Sequence, residues 1–98
     1  MATGTISVMT NESGSKYCKM PDGTYIQWDT ATINSGSDRA TIGFTKFNGG
    51  VPVFLISSSG SGTFRVNNLA DYYAIVACNE GNVSTNKTIY WVAIGRWK

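Results

Sequence analysis

The chain has 98 residues, of which 42% are hydrophobic and only 14% charged, with a net charge of +2 and an isoelectric point near 8.6. That length makes a single domain over residues 1–98. The charge is too mild and its carriers too scattered for a nucleic-acid surface, and no apolar run is long enough for a membrane span or polybasic segment suited to a membrane surface.

In chain order, residues 1–10 lack the basic lead and apolar core of a signal peptide. Short runs rich in Val, Ile, Thr, Tyr, Phe and Trp, separated by Gly, Ser and Asn, then predict about eight strands over residues 4–10, 15–20, 24–33, 39–45, 51–57, 62–68, 72–79 and 87–95. Pro21-Asp22-Gly23 supplies a tight turn before the third. Residues 34–38 and Asn48-Gly49-Gly50 read as flexible loops, residues 57–62 as a hairpin tip, and residues 79–86 as the longest polar connection. No window sustains a helical period. Regular short strands without crossover helices predict an antiparallel β-sandwich or barrel.

Three of these strands are apolar on both faces: residues 51–56, 72–77 and 89–94. A two-layer sandwich covers one face of each sheet. The other face then needs a closed barrel, a covering loop or, most economically, further copies of the same chain. Pro52 cannot donate to a ladder, so its strand should be an edge or bulged there. Trp28 and Trp91 are mid-strand and expected in the core. Of Tyr72 and Tyr73, one should face the core. Trp97, just past the last strand, is expected to pack on a neighbouring chain rather than stand as an exposed stacking surface.

The chemistry-bearing residues are few. Cys18 and Cys78 read as half-buried thiols, with a disulfide as the alternative. There is no histidine, so neither a zinc site nor the usual base for a hydroxyl or thiol nucleophile is at hand. No cofactor or phosphate-loop motif is present, and the spacing of the six acids suggests no glycosidase pair. No enzymatic activity, metal or cofactor is expected.

Lys19-Met20-Pro21-Asp22-Gly23-Thr24-Tyr25-Ile26-Gln27-Trp28, the stretch from Thr41-Ile42-Gly43-Phe44 to Val51-Pro52-Val53, and the ending Tyr90-Trp91-Val92-Ala93-Ile94-Gly95-Arg96 resemble, in order and spacing, motifs of the C-terminal tip domains of phage tail fibres. The resemblance covers residues 17–96. It departs at Asp29, where tip domains usually carry glycine, and at residues 70–73. The layout is also similar to the H-type lectins, trimeric antiparallel sandwiches that bind sugar between subunits.

These resemblances imply an H-type-lectin-like β-sandwich of six to eight short strands, assembled as a homotrimer, with residues 1–14 a short linker or shaft-proximal strand. They imply a virion protein at the tip of a tail fibre, made in the host cytoplasm, that binds a bacterial surface polysaccharide or lipopolysaccharide for attachment. Alternatives are a structural cap that registers the fibre without a ligand, or a free lectin or adhesion domain. Candidate sugar contacts are Asp38 and Arg39 in the early loop, Arg65 in a Phe-Arg-Val segment that resembles a sugar-contacting stretch of the lectins, and Asn79, Glu80 and Asn82 in the last loop. Tyr25, with Tyr17, is a candidate stacking face.

Overall fold

The structure is a computed structural model that describes residues 12–14, 16–58 and 61–98. Among these residues the chain forms eight strands: β1 (Glu12–Gly14), β2 (Tyr17–Lys19), β3 (Thr24–Ile33), β4 (Arg39–Gly43), β5 (Asn48–Ser58), β6 (Phe64–Leu69), β7 (Tyr73–Cys78) and β8 (Lys87–Arg96). They build two antiparallel sheets, one five-stranded in the order β1-β2-β3-β8-β5, the other three-stranded in the order β4-β7-β6. The strand expected at residues 4–10 lies outside the described residues.

Alternation places odd-numbered residues of β3 and β8 between the sheets. Tyr25, Gln27 and Ile33 on β3 are buried, as are Ile89, Trp91 and Ala93 on β8. The facing sheet contributes Ile42, Ala74, Val76 and Cys78. It is shorter than its partner, and the segment after β4 completes the cover. Phe47, 1% exposed, packs against Tyr25 at a ring separation of 5.2 Å and against Phe44 at 5.5 Å. Phe44, Phe54 and Trp91 continue this aromatic layer at 5.6–5.9 Å, each such contact adding about 0.5–1.5 kcal/mol beyond its burial. Buried Gln27 ties the segment down. Its Nε2 donates to the Thr45 carbonyl (2.8 Å) and its Oε1 accepts from the Thr45 N–H (2.9 Å), so neither polar atom of the amide is left without a partner.

Several expectations are corrected by this register. Tyr25 is 5% exposed and part of the core, so its ring is no stacking face for a ligand. Trp28, expected inside, falls on the even face of β3 and is 40% exposed. Neither Tyr72 nor Tyr73 joins the buried core; the two rings pack edge to face on each other at 4.9 Å. Residues 57–62 do not tip a hairpin, because β5 and β6 belong to different sheets. Trp97 is anchored to its own chain by its Nε1–H, which donates to the Met20 carbonyl (2.7 Å), and it keeps 38% of its surface exposed, so the expected packing on a neighbouring chain is neither met nor overturned within one copy. The reading of Cys18 and Cys78 as thiols rather than a disulfide holds: both are free, Cys78 buried and Cys18 partly so.

Pro52 behaves as its chemistry requires. It lies on an edge strand of the five-stranded sheet, inside the interval between Asn48 and Val53 where the register with β8 shifts. Gly49 and Gly50, at φ of 89° and 115°, let the chain make that detour, so the expected loop at residues 48–50 is the bulged start of β5.

The two-faced strands divide. In β7 the second face is largely closed within the chain: Ala77 is fully buried between its cross-strand neighbours Arg39 and Arg65. In β5 and β8 it is not. Register aligns Ile26–Ile94–Val53, Trp28–Val92–Leu55 and Thr30–Tyr90–Ser57 in rows across the outer face of the five-stranded sheet. Val53 is 60% exposed there, Leu55 55% and Tyr90 46%.

Candidate functional site

Three loops meet at the end of the sandwich where β3 finishes and β4 begins. The loop of residues 34–38 is bonded to the last loop, with Gly36 N–H donating to the Val83 carbonyl (2.7 Å) and Val83 N–H to the Ser37 carbonyl (2.8 Å). Val83, 6% exposed, anchors the long 79–86 connection in the core. The approach to β6 is tied in by Asn79 N–H donating to the Thr63 carbonyl (2.9 Å). Loops fixed to a sheet in this way can hold polar side chains in place for a ligand.

On this platform four of the sequence candidates come together. Arg39 and Arg65 are both cross-strand partners of Ala77, so they flank it on the outer face of the three-stranded sheet. Arg39 grips Asp38 with a fork, Nε to Oδ1 at 3.0 Å and Nη2 to Oδ2 at 3.2 Å. The Asp38 carboxyl is held below its ordinary range, chiefly by that hydrogen bond and further by the charges of Arg39 and Arg65. Arg65 donates from Nη1 to the Asn79 side-chain carbonyl (2.7 Å). It is exposed and makes no ion pair among the described residues, the Asp38 carboxylate acting on its charge only at longer range.

Glu80 is adjacent but turned to a different task. Its carboxylate accepts from the Thr63 hydroxyl, the Thr63 N–H (2.9 Å) and the Cys78 thiol (3.3 Å). The Thr63 hydrogen bonds are the main reason its carboxyl is held low. Asn79 Nδ2 donates to the same Thr63 hydroxyl (3.2 Å), so a continuous network runs from Arg65 to Glu80. Asn82 is exposed and lies with Glu80 and Lys87 around a separate shallow depression of about 210 Å³. The structure thus gathers Asp38, Arg39, Arg65 and Asn79, places Glu80 and Asn82 beside them, and removes Tyr25 to the core. Sequence reasoning missed Thr63, whose hydroxyl and N–H link the two halves of the network.

The fold is shared with proteins of tailed phages and pyocins. An N-truncated R1-type pyocin tail fibre matches with a TM-score of 0.64 at 16% identity, over 97% of this chain and 96% of that one. An N-truncated R2-type pyocin tail fibre matches with a TM-score of 0.62 at 17% identity, over 89% of this chain but 37% of that one, so the chain spans little more than a third of it. The Gp54 tailspike of Acinetobacter baumannii bacteriophage AP22, solved in complex with A. baumannii capsular saccharide, matches with a TM-score of 0.52 at 16% identity over 74% of this chain and 17% of that one. No protein-family model and no curated protein sequence matches the chain.

Proposed function

We propose that this chain is the receptor-binding tip of a phage-type tail fibre: an H-type-lectin-like, non-enzymatic module that acts as a homotrimer and binds a bacterial surface polysaccharide or lipopolysaccharide. The observation that carries this reading is the opposition of two outer faces. One is an apolar wall of Ile26, Trp28, Val53, Leu55, Val92 and Ile94, in the form of an interface for identical copies. The other ends in the Asp38–Arg39–Arg65–Asn79 cluster, in the form of a site for hydroxyls and acidic substituents. The fold held in common with pyocin tail fibres, and with a tailspike solved on a capsular saccharide, supports the same assignment.

Arg65 is the residue on which recognition should turn. Its guanidinium is oriented by a neutral amide, so its charge is available to a phosphate or uronate. Asp38 and Asn79 add acceptors for neighbouring hydroxyls. Each such site is weak alone, and copies acting together make the attachment firm.

The test is binding of the assembled protein to a panel of purified lipopolysaccharides and capsular polysaccharides. At least one should bind, and Arg65→Ala should weaken that binding about tenfold or more without changing the oligomeric state. Absence of binding by the intact assembly, together with undiminished adsorption of particles lacking the domain, would sink the reading and leave the ligand-free cap.

A further inference from the structure

A second polar and aromatic recess lies on the flank of the sandwich, away from the loop cluster. The β1–β2 arm covers β3 only as far as the Tyr17–Gln27 pair, and β4 is the edge of the other sheet. Between these two edges runs an open groove of about 280 Å³ lined by Lys16, Tyr17, Asp29, Phe44 and Thr45, with Gln27 at its base. We propose that this groove is a second glycan subsite, taking one neutral pyranose residue of the chain whose acidic part engages Arg65. The proposal rests on the glycan-binding reading above and extends it.

The chemistry of the lining argues for a sugar. Tyr17 and Phe44 present partly exposed ring surface, suited to the apolar C–H face of a pyranose. Around them stand groups with hydrogen-bonding capacity left over. Asp29 Oδ1 accepts from Lys16 Nζ (2.7 Å) and from the Thr30 N–H (2.7 Å), while Oδ2 has no hydrogen bond among the described residues. Lys16 keeps two further donors. The Thr45 hydroxyl makes no hydrogen bond among the described residues, because Gln27 occupies only that residue's backbone. A carboxylate, an ammonium and a hydroxyl beside aromatic rings match adjacent sugar hydroxyls, which each donate and accept.

The charge argues for a neutral sugar. Lys16 and Asp29 form an ion pair, so the groove has no net charge from its lining side chains. An anionic ring would gain from Lys16 what it lost to Asp29. The volume sits at the lower bound of ligand clefts and accommodates a single ring rather than a folded oligosaccharide. The groove was invisible as a motif because its lining comes from four separate parts of the chain: residues 16–17, Tyr25 with residues 27–29, residues 43–45 and Trp91.

The test is a chemical-shift titration of the full chain with the methyl glycosides of glucose, galactose and N-acetylglucosamine, with glucuronate as the charged comparison. At least one neutral glycoside should shift the amides of residues 16–17, 29 and 43–45, and should do so equally in Arg65→Ala. Asp29→Ala should weaken it about tenfold, and Thr45→Ala, which leaves the backbone bonds to Gln27 in place, should weaken it several-fold should Asp29→Ala not fold. The proposal is overturned if no neutral glycoside shifts these amides, if glucuronate alone does, or if the folded variants titrate like the wild-type chain. If these amides respond while lipopolysaccharides and capsules fail to bind at Arg65, the groove stands and the loop-end reading falls.

Discussion

A methyl group added to Gly95 would stand 2.6 Å from Cδ1 of Phe47, a ring that the core fully encloses. Gly95 faces Tyr25 across β3 and β8, so its missing side chain is the space in which Phe47 covers the lower half of the five-stranded sheet. Gly95→Ala should therefore cost about 1–3 kcal/mol, seen as a lower urea midpoint at unchanged m-value, and Phe47→Leu should couple to it in a double-mutant cycle rather than add. Gln27→Leu should cost a similar ~1–3 kcal/mol by the same measurement, because it strands the Thr45 N–H and carbonyl beside the core. Four carboxyls are held below their ordinary range: Asp22 chiefly by the Thr24 N–H, Asp29 by Lys16, Asp38 by Arg39 and Glu80 by Thr63. The unfolded chain then takes up protons first as pH falls. Their stabilisation is complete above the unfolded values, near pH 4, and is lost as pH drops through the folded ones. The urea midpoint should be level from about pH 5 to 7 and fall below about pH 4, modestly, since all four groups are exposed.

Among the elements, β5 and β8 carry the apolar outer wall. Leu55 is 55% exposed in the single chain, so a polar replacement there should spare the core while placing a charge in the proposed interface. Leu55→Lys should sediment as a folded monomer where the wild-type chain sediments as an assembly; identical sedimentation of the two proteins would remove the wall from the interface. The strands themselves were legible in the sequence, because β-branched and aromatic runs bounded by Gly, Asn and Pro leave little else to form. What the runs do not carry is parity and pairing. Trp28 and Tyr25 differ by three positions and face opposite ways, and only the register with β8 settles which is inside. The crossing from β5 to β6 looks like a hairpin by composition, yet each strand has its own partner in a different sheet. Residues 44–47 read as the end of a strand and a loop, although Phe47 fills the core. The candidate site was legible residue by residue from loop chemistry. Its assembly was not, since Arg39 and Arg65 meet only because β4 and β6 both flank β7.

At the scale of the molecule, the apolar wall and the charged loop end belong to different sheets, so copies can assemble through one while the other stays exposed. Linked sites raise the effective concentration of each for a repeating polymer. Immobilised polysaccharide should accordingly retain the wild-type assembly about a hundredfold more tightly than the Leu55→Lys monomer, measured as a slower dissociation rate. The position of β8 has a separate consequence. It comes last of the described strands in the chain, yet lies between β3 and β5, and the residue after it, Trp97, closes onto the Met20–Gly23 turn. During synthesis β3 and β5 therefore emerge from the ribosome without the strand that joins them. The larger sheet is completed only after residues 87–96 have been translated; until then β3 is paired on one side alone and β5 has no sheet partner among the described strands, so both leave backbone edges open to mispairing.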